Sequence, residues 1–496
     1  MKVNIFKIPK DKVKDLKDKL KSVGLESING KVQKTWNTEF FFSLDVDPVV
    51  PTWIETYLDF FPSALPSNRI YSACYFWENA ENCFALSYGK SHFYLRQFCD
   101  HDFGTYIAKR IANEKDVRQK SSKKFAGKKK KEIKSYTKNS RLDIESGESV
   151  DYLQASIIAN QRVNFGKAGK FGSSVLLSPA IKKEELPDLF DNLLAASLLS
   201  EQFPLPRTTI INNTVEAAKY EDILLTEILT QSDSSDFTEN SHDLVGVDFI
   251  FSGNEKYRFS HKGKESELFE DLSLEKLNEY ITKHSIPRNE IFAIKVVIEK
   301  EDARPYTRYV KESLDYIVDD ANIILSQGNW MSFNEDYLLQ LDEYIDVIEI
   351  EPTEGVLVDL EHKVEGELNK FFVSHGYANA DKDFSKIKVE SGVAVEAWDL
   401  EKGDTVYAVK IGTLQKVGYV CDQANNTLEL IKKKSNLRTL SSTFKVYCLW
   451  IVLERKTRIS KLSELKSIIF KQKIESWARK CSEYGIIPKV KISYTD

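Results

Sequence analysis

The sequence VAVEAWDLEKGDTVYAVKIG, residues 393–412, has the alternating apolar pattern of two β-strands joined by a hairpin loop. A helical pattern precedes it at 361–376, and KIKVES at 386–391 predicts a short strand in between. A second helical pattern follows at 412–434, and TFKVYCLWIVLE at 443–454 predicts a buried strand. The predicted chain order is therefore helix, three strands, helix, strand.

This order is similar to the core of restriction-endonuclease-like domains, and we expect an α/β domain of that kind over residues 353–496. In such domains, carboxylates and a lysine on neighbouring strands form the site of a metal-dependent nuclease. By that resemblance Asp399 is the strand-end carboxylate and Lys410 is the lysine. Glu365 or Glu367 supplies a further carboxylate from the first helix.

The chemistry of such a site depends on a divalent cation. Carboxylates hold Mg²⁺, which stabilises charge on the phosphate and lowers the pKa of a bound water. We expect Asp399 and Glu396 as metal ligands, although strand alternation places them on opposite faces unless a bulge intervenes. Gln423, on the second helix, is expected to contact the substrate or the metal-bound water.

The pattern departs from a complete nuclease site at Ala408, two residues before Lys410, where an acid is expected. A second register takes Asp383 and Glu396 instead, but the first is preferred because its lysine strand runs directly into a helix. An acid and a lysine on adjacent strands also form surface ion pairs of little energetic consequence. An active nuclease, a nuclease-like domain kept for binding or assembly, and an unrelated α+β domain all stay open.

Length and composition limit the class of protein. At 496 residues the chain exceeds one ordinary core, and its formal net charge of -5 means that any affinity for a polyanion must come from a local patch. The six cysteines show no CxxC pair, which fits a reducing cytoplasm. The densest apolar run, YCLWIVL at 447–453, is far shorter than the roughly 20 residues that span a bilayer. The first ten residues lack the apolar run of a signal peptide. We therefore expect a cytoplasmic protein with no membrane partner.

The rest of the chain mixes helical and strand patterns, so we expect a multidomain α+β protein with antiparallel sheets in its N-terminal part. Residues 1–112 predict a small α+β domain, and residues 142–352 predict a middle α+β domain. Within the middle domain, DYLQASIIAN at 151–160 predicts a helix. Residues 113–141 are predicted as a linker or loop between the two.

Residues 115–141 hold twelve Lys or Arg residues against two acids. Clustered lysines release counterions from a nucleic-acid backbone without reading its sequence. This segment therefore predicts a nucleic-acid contact, with DNA preferred to RNA, and an exposed loop without a ligand is the alternative. The predicted contact residues are Lys123, Lys124, Lys128, Lys129, Lys130 and Lys131.

A family resemblance rests on short segments spread along most of the chain. They include FALSYGKSHFYL at 84–95, DFGTYIAKRIAN at 102–113, LDIESGESVDYLQASI at 142–157, LSQGNWMSFNEDYLLQLDEYID at 325–346, and VAVEAWDL with VYAVKIG within 393–412. These resemble a family of uncharacterised bacterial proteins described as sporadically distributed. Members commonly carry a histidine two positions before the matching lysine, where this chain has Ala408. Sporadic distribution is typical of mobile and anti-phage defence genes, so the resemblance implies defence or mobile-element biology, with protein partners from a defence operon.

The predicted function is an anti-phage defence or mobile-element protein. It would bind nucleic acid through a degenerate restriction-endonuclease-like domain, and cleave it if the site is active. The alternative is a non-enzymatic scaffold or sensor subunit of a multi-protein defence complex. Convergence of Asp399, Lys410 and a third acid would favour the enzyme. An Asp399 carboxylate capped by backbone would count against it.

Overall fold

A computed structural model gives the fold. It describes residues 1–44, 46, 48, 50–61, 65–124, 130–211, 214–230, 235–237, 256–270, 272–300, 303–318, 321–326, 328–361, 365–380, 398–412, 414–433, 444–454 and 457–495. The described chain divides into two compact units, one of residues 1–124 and 130–207 and one beginning at Thr208. These units differ from the predicted domain boundaries at 112, 141 and 352.

The first unit is built on one ten-stranded antiparallel sheet. Its strands are β1 Val3–Lys7, β2 Glu26–Asn29, β3 Asn37–Phe42, β4 Ala73–Glu78, β5 Cys83–Tyr88, β6 Ala112–Lys124, β7 Lys130–Ser140, β8 Glu148–Ile157, β9 Ala168–Phe171 and β10 Val175–Leu177. They lie in the order β2-β3-β4-β5-β1-β10-β9-β8-β6-β7. Its helices are α1 Val13–Ser22, α2 Thr52–Thr56, α3 His92–Phe98, α4 Phe103–Ile111, α5 Arg162–Phe165 and α6 Leu186–Ser197.

Strand alternation gives this sheet two buried faces, because successive side chains point to opposite sides. On one face, Phe41 of β3 belongs to a core that includes Leu16 of α1. On the other face, Phe84 of β5 stacks on Phe190 of α6, with ring centroids 5.0 Å apart. Both faces of this part of the sheet therefore carry helices.

The Lys-rich segment forms a long hairpin where a linker or loop is predicted. β6 and β7 pair antiparallel, and β6 pairs on its other side with β8. β8 also covers most of the residues for which DYLQASIIAN predicts a helix, and that prediction is wrong. Because β8 lies between β6 and β9, its backbone is paired on both sides, and this tertiary constraint outweighs local periodicity.

The second unit begins with two antiparallel sheets. Its strands up to residue 333 are β11 Thr208–Ile210, β12 Ser235–Phe237, β13 Lys256–His261, β14 Lys264–Glu265, β15 Lys295–Lys300, β16 Ala303–Tyr309, β17 Leu314–Val318, β18 Ile323–Ser326 and β19 Asn329–Phe333. One sheet has the order β11-β19-β18-β17-β12 and the other β14-β13-β15-β16. The helices here are α7 Thr214–Thr230, α8 Leu274–His284, α9 Val310–Ser313 and α10 Glu335–Asp346.

The last part of the second unit contains a mixed sheet. Its strands are β20 Glu349–Glu351, β21 Ala378–Asn379, β22 Leu400–Lys402, β23 Thr405–Gly412, β24 Val446–Glu454 and β25 Ile487–Thr495. They lie in the order β20-β25-β24-β23-β22-β21. β20, β25, β24 and β23 are parallel, and β22 pairs antiparallel with both β23 and β21. The helices are α11 Glu365–Ser374, α12 Leu414–Lys433 and α13 Ile468–Glu483.

This sheet confirms several predicted elements. The strands predicted from TVYAVKI and TFKVYCLWIVLE are β23 and β24, and the helix predicted between them is α12. The hairpin of β22 and β23 is also present, with Gly403 at φ 64° in its turn, a conformation that favours glycine. The strand predicted from KIKVES and most of VAVEAWDL lie outside the described residues.

β23 separates two cores of the mixed sheet. Ala408 belongs to the core that includes Val417 and Val420 of α12. Val409 belongs to the core that includes Phe372 of α11. The helices α11 and α12 therefore pack on opposite faces of the strand that carries Lys410.

The predicted class, an α+β protein with several antiparallel sheets, is confirmed. Within the described ranges, no helix has the length and apolarity needed to cross a membrane. All six cysteines are buried, and each remains a free thiol.

Candidate functional site

Asp399, the predicted metal ligand and catalytic carboxylate, is buried at the start of the β22–β23 hairpin. Only 5% of the residue is exposed, and its Oδ2 accepts a hydrogen bond from the backbone N–H of Val409 at 2.7 Å. Its own backbone N–H donates to the carbonyl of Tyr407 at 2.9 Å. Asp399 thus comes directly before β22, and its carboxylate continues the hydrogen-bond ladder along β23.

Lys410 and Ala408 lie on the α12 side of β23. Ala408 is 1% exposed inside the apolar core, so the position where a nuclease carries an acid is filled by packing. Lys410, two residues further along a regular strand, shares that face and is half-buried.

The two residues of α11 predicted for the site are separated from Lys410 by the sheet, whereas Gln423 of α12 is not. α11, which carries Glu365 and Glu367, packs its apolar residues on the opposite face of β23. Glu367 is exposed, and the structure places Glu365 at the first position of α11 without describing its side chain. Gln423, in α12, is half-buried on the same side as Lys410.

The residues that the structure describes do not assemble a Mg²⁺ site. Among them, no three His, Cys, Asp or Glu side chains lie close enough to hold a metal ion. The Asp399 carboxylate already accepts a backbone hydrogen bond, and Ala408 offers no ligand. Glu396, the second predicted ligand, and Asp383 of the second register lie outside the described residues. The described residues therefore give no support for metal-dependent cleavage at this site.

Four lysines of the hairpin, Lys120, Lys123, Lys124 and Lys134, are paired with acids. Lys123 Nζ lies 3.4 Å from a carboxylate oxygen of Asp151, and Lys124 pairs with Glu145. Lys134 also reaches Glu145, with 2.7 Å between nitrogen and oxygen. Burial opposes ionisation of Glu145, but hydrogen bonds from these two lysines outweigh it and lower the pKa of its carboxyl group to about 2.

The middle of the hairpin contains a fully buried ion pair. Lys120 and Glu148 both have side chains with 0% exposure, and the Lys120 ammonium donates to a carboxylate oxygen of Glu148. The acids that neutralise these lysines come from residues 143–151, just beyond the Lys-rich segment. A charge count restricted to 115–141 does not include them.

Four of the predicted contact lysines are described only in part or not at all. Lys128 and Lys129 lie outside the described residues. Lys130 and Lys131 begin β7, directly opposite Lys124 and Lys123, but their side chains are not described. The hairpin therefore brings lysines together in cross-strand pairs at its outer end.

Sequence reasoning missed a buried charged cluster beside α11. Lys491 Nζ lies 2.7 Å from Glu351 Oε1, and the Tyr407 hydroxyl donates to the same oxygen at 3.1 Å. Burial lowers the pKa of Lys491, but its contacts with Glu351 raise it more, so the pKa lies above its usual value. The cluster fastens β20 to β25. Its signal was the alternation of Glu349 and Glu351 against Lys489 and Lys491, which pair in parallel register.

Sequence reasoning also missed an aromatic surface on the first unit. Phe40 and Phe42 of β3, Tyr75 of β4 and Tyr88 of β5 lie on one face of the sheet, and Tyr71 stacks on Phe42. The available signal was aromatic residues at even spacing, two apart in FFF and four apart in YSACY.

The fold defines an α+β protein with several antiparallel sheets and one mixed sheet. The sequence model of the Family of unknown function (DUF6119) matches residues 4–444, and the chain belongs to that family. Comparisons with curated proteins and with solved structures gave no match.

Proposed function

We propose that this protein binds nucleic acid without cleaving it, through the outer end of the β6–β7 hairpin. The observation that carries the proposal is the register of the hairpin, which sets Lys124 opposite Lys130 and Lys123 opposite Lys131. Like charges directly opposite each other on paired strands are destabilising. Asp151 and Glu145 offset the charge of Lys123 and Lys124. A polyanion would therefore bind the charge that Lys128–Lys131 add, with a gain from counterion release.

The acids near the hairpin direct the proposed contact to Lys128–Lys131, because Lys123 and Lys124 already pair with Asp151 and Glu145. Lys120 and Lys134, which also face each other across the strands, are matched by Glu148 and Glu145. In the sequence, the run Lys128–Lys131 reaches into the start of β7, and Glu132 is the first acid after it. The sequence therefore adds four consecutive lysines, with no acid among them, next to the end of the hairpin.

Binding is preferred to cleavage because of the arrangement around β23. Asp399 serves as a buried hydrogen-bond acceptor, and Ala408 lies in an apolar core. The order α11, β21, β22, β23, α12, β24 supports a restriction-endonuclease-like ancestry for residues 353–496, and we propose that this domain is kept for binding or assembly. The family resemblance adds a role in anti-phage defence or mobile-element biology to the proposal, and the scattered cysteines add a cytoplasmic location.

The test compares charge-removing and charge-keeping variants of the full chain. One variant changes Lys128–Lys131 to glutamine, and a second changes them to arginine. A matched control changes the exposed residues Lys14, Lys19, Lys21 and Lys31 to glutamine. Affinity for labelled duplex DNA, single-stranded DNA and RNA is measured by fluorescence anisotropy over a range of salt concentrations.

We expect the glutamine variant to weaken binding and to reduce the slope of log K against log salt by about 3 to 4 for duplex DNA. The arginine variant and the matched control should keep both quantities. Equal affinity and slope for the hairpin glutamine variant and the wild type would contradict the proposal. Incubation with DNA and RNA in Mg²⁺ or Mn²⁺ should leave the substrates intact, and cleavage that is lost on Asp399→Ala would restore the nuclease alternative.

A second candidate, a non-enzymatic scaffold or sensor subunit, is favoured by exposed aromatic residues at α2. Trp53 is 57% exposed, Tyr57 is 53% exposed, and Phe60 is 78% exposed. Exposed apolar patches of this kind mark protein interfaces. If the scaffold role is right, Trp53→Ser with Phe60→Ser abolishes assembly with an operon-encoded partner in light scattering, while nucleic-acid binding is unchanged. Intact assembly would remove this surface from the scaffold hypothesis.

A further inference from the structure

The aromatic surface of the first unit contains two rows that cross three strands. In one row Phe42 of β3, Ala73 of β4 and Tyr88 of β5 stand directly opposite one another. In the next row Phe40 stands opposite Tyr75, with ring centroids 5.5 Å apart in an edge-to-face arrangement. Residues two apart on a strand share a face, so both rows belong to one surface.

Ala73 is the one small side chain between the two rings of its row, and a cavity opens there. The cavity has a volume of about 290 Å³. It is lined by Met1, Phe40, Ala73, Tyr75, Tyr88, Lys183 and Leu186. Pockets for small ligands begin at roughly 300 Å³. This cavity therefore suits a single ring system and is too small for a folded protein element.

The rings beside the cavity continue the surface outward. The ring planes of Phe42 and Tyr71 are nearly parallel, with 8° between them and 5.6 Å between the ring centroids. Tyr71 is 44% exposed and Tyr88 is 37% exposed. Exposed aromatic rings on or beside a sheet are the platform on which unpaired bases stack in many single-strand-binding domains.

A cation borders the cavity. Lys183 is exposed, and its ammonium lies 5.7 Å from the centroid of the Tyr75 ring. Lys90 is also exposed and follows Tyr88 by two residues in the chain. Among the described residues, neither ammonium forms an ion pair. The cavity between aromatic rings suits a nucleobase, and the ammonium groups beside it suit the phosphate attached to that base.

We propose that this surface binds an unpaired nucleobase of a single-stranded nucleic acid, with the base in the cavity over Ala73 and a neighbouring phosphate at Lys183. This inference rests on the proposed nucleic-acid binding and adds a substrate class to it. A duplex, whose bases are stacked inside, cannot fill the cavity without unpairing. The hairpin lysines contribute charge, while this surface selects the single strand.

The experiment measures binding of three labelled probes by fluorescence anisotropy. They are an oligothymidylate of about 12 nucleotides, an abasic strand of the same length, and a duplex of the same length. The full chain is compared with Tyr71→Ala, Tyr88→Ala and the cavity-filling variant Ala73→Leu. Phe93→Ala is the control, because Phe93 is as exposed as Tyr71, at 44%, but lies on α3.

We expect the oligothymidylate to bind about tenfold or more tightly than the abasic strand. Each of the three surface variants should abolish most of that difference, and Phe93→Ala should keep it. Because Tyr71 and Tyr88 are partly exposed, their variants test the surface even if Ala73→Leu is poorly folded.

The outcomes separate this inference from the proposed function. Equal binding of the abasic strand and the oligothymidylate overturns the base site but leaves hairpin binding intact. A base preference that survives all three variants also overturns it. Absence of binding by every probe contradicts the proposed function itself.

Discussion

The carboxylate of Asp399 accepts a hydrogen bond from the backbone N–H of Val409, and the two groups are 2.7 Å apart in a buried position. Val409 comes immediately before Lys410, the predicted catalytic lysine. The acid expected to hold a metal therefore accepts a backbone hydrogen bond from within β23, and this structural role accounts for its position.

Replacement of Asp399 should affect stability in a graded way. Asp399→Asn keeps an oxygen acceptor for the Val409 N–H and should lower the free energy of unfolding by less than about 1 kcal/mol. Asp399→Ala leaves that N–H buried without this acceptor and should cost about 1–3 kcal/mol. Urea unfolding and hydrogen exchange at the Val409 amide give the comparison. A Mg²⁺-dependent rise in the melting temperature that Asp399→Asn removes would instead identify Asp399 as a metal ligand.

Restoring the missing acid should destabilise the protein without creating a nuclease. Ala408→Glu places a carboxylate in the core with Val417 and Val420, so we expect a loss of about 3 kcal/mol or more. Ala408→Val is the matched control, since it adds volume without charge. Thermal unfolding measures the stability, and nuclease assays in Mg²⁺ and Mn²⁺ measure activity. Metal-dependent cleavage by Ala408→Glu would show that the site lacked only this ligand.

The buried pair of Lys120 and Glu148 should show strong energetic coupling. Lys120→Met leaves the Glu148 carboxylate buried without its main partner and should cost about 3–5 kcal/mol. Adding Glu148→Gln should recover most of that loss, because the remaining buried groups are neutral. A double-mutant cycle by chemical denaturation measures the coupling. Additive losses would mean that the pair does not act as a unit.

His101, between α3 and α4, should make stability depend on pH. Burial, with Arg96 and Lys12 nearby, lowers its pKa from 6.5 to about 4. The unfolded chain therefore binds a proton more readily between these values, so stability is full above about pH 6.5 and falls as pH drops toward 4. The shift corresponds to a loss of at most about 3 kcal/mol.

The check on His101 is the pH profile of thermal unfolding. His101→Gln cannot titrate, so its melting temperature should change less than that of the wild type between about pH 6.5 and pH 4. Parallel profiles would contradict the assignment. The Glu145 carboxyl group, whose pKa is lowered to about 2, acts in a separate window below about pH 4.5 and serves as an internal comparison.

Local pattern was a good guide where a segment is apolar and periodic. β23 and β24 were predictable because their apolar residues run through a sheet buried on both faces, and α12 because its apolar residues form one stripe. Residues 148–157 were not predictable in the same way. Residues 151–157 have a helical pattern but form a strand, because they pair with β6 and β9. Local periodicity does not report such pairing with other parts of the chain.

The candidate site was less predictable than the fold. Composition indicated that residues 115–141 are basic, and this holds. It did not indicate that Lys120, Lys124 and Lys134 meet acids from the following segment, because those contacts depend on the register of three strands. The aromatic surface was equally hidden, since its rows form only when β3, β4 and β5 are side by side.

The sequence by itself determined the α+β class, the strands and helices around Lys410, and membership of the family. The class and the elements follow from the spacing of apolar residues, which indicates which face of a helix or strand is buried. Membership follows from the match of residues 4–444 to the family. Only the tertiary structure decided that Asp399 faces a backbone N–H, that Ala408 lies in a core, and that α11 and Lys410 are on opposite sides of the sheet. A carboxylate has the same chemistry as a metal ligand or as a cap, and its nearest neighbours in space decide which of the two it becomes.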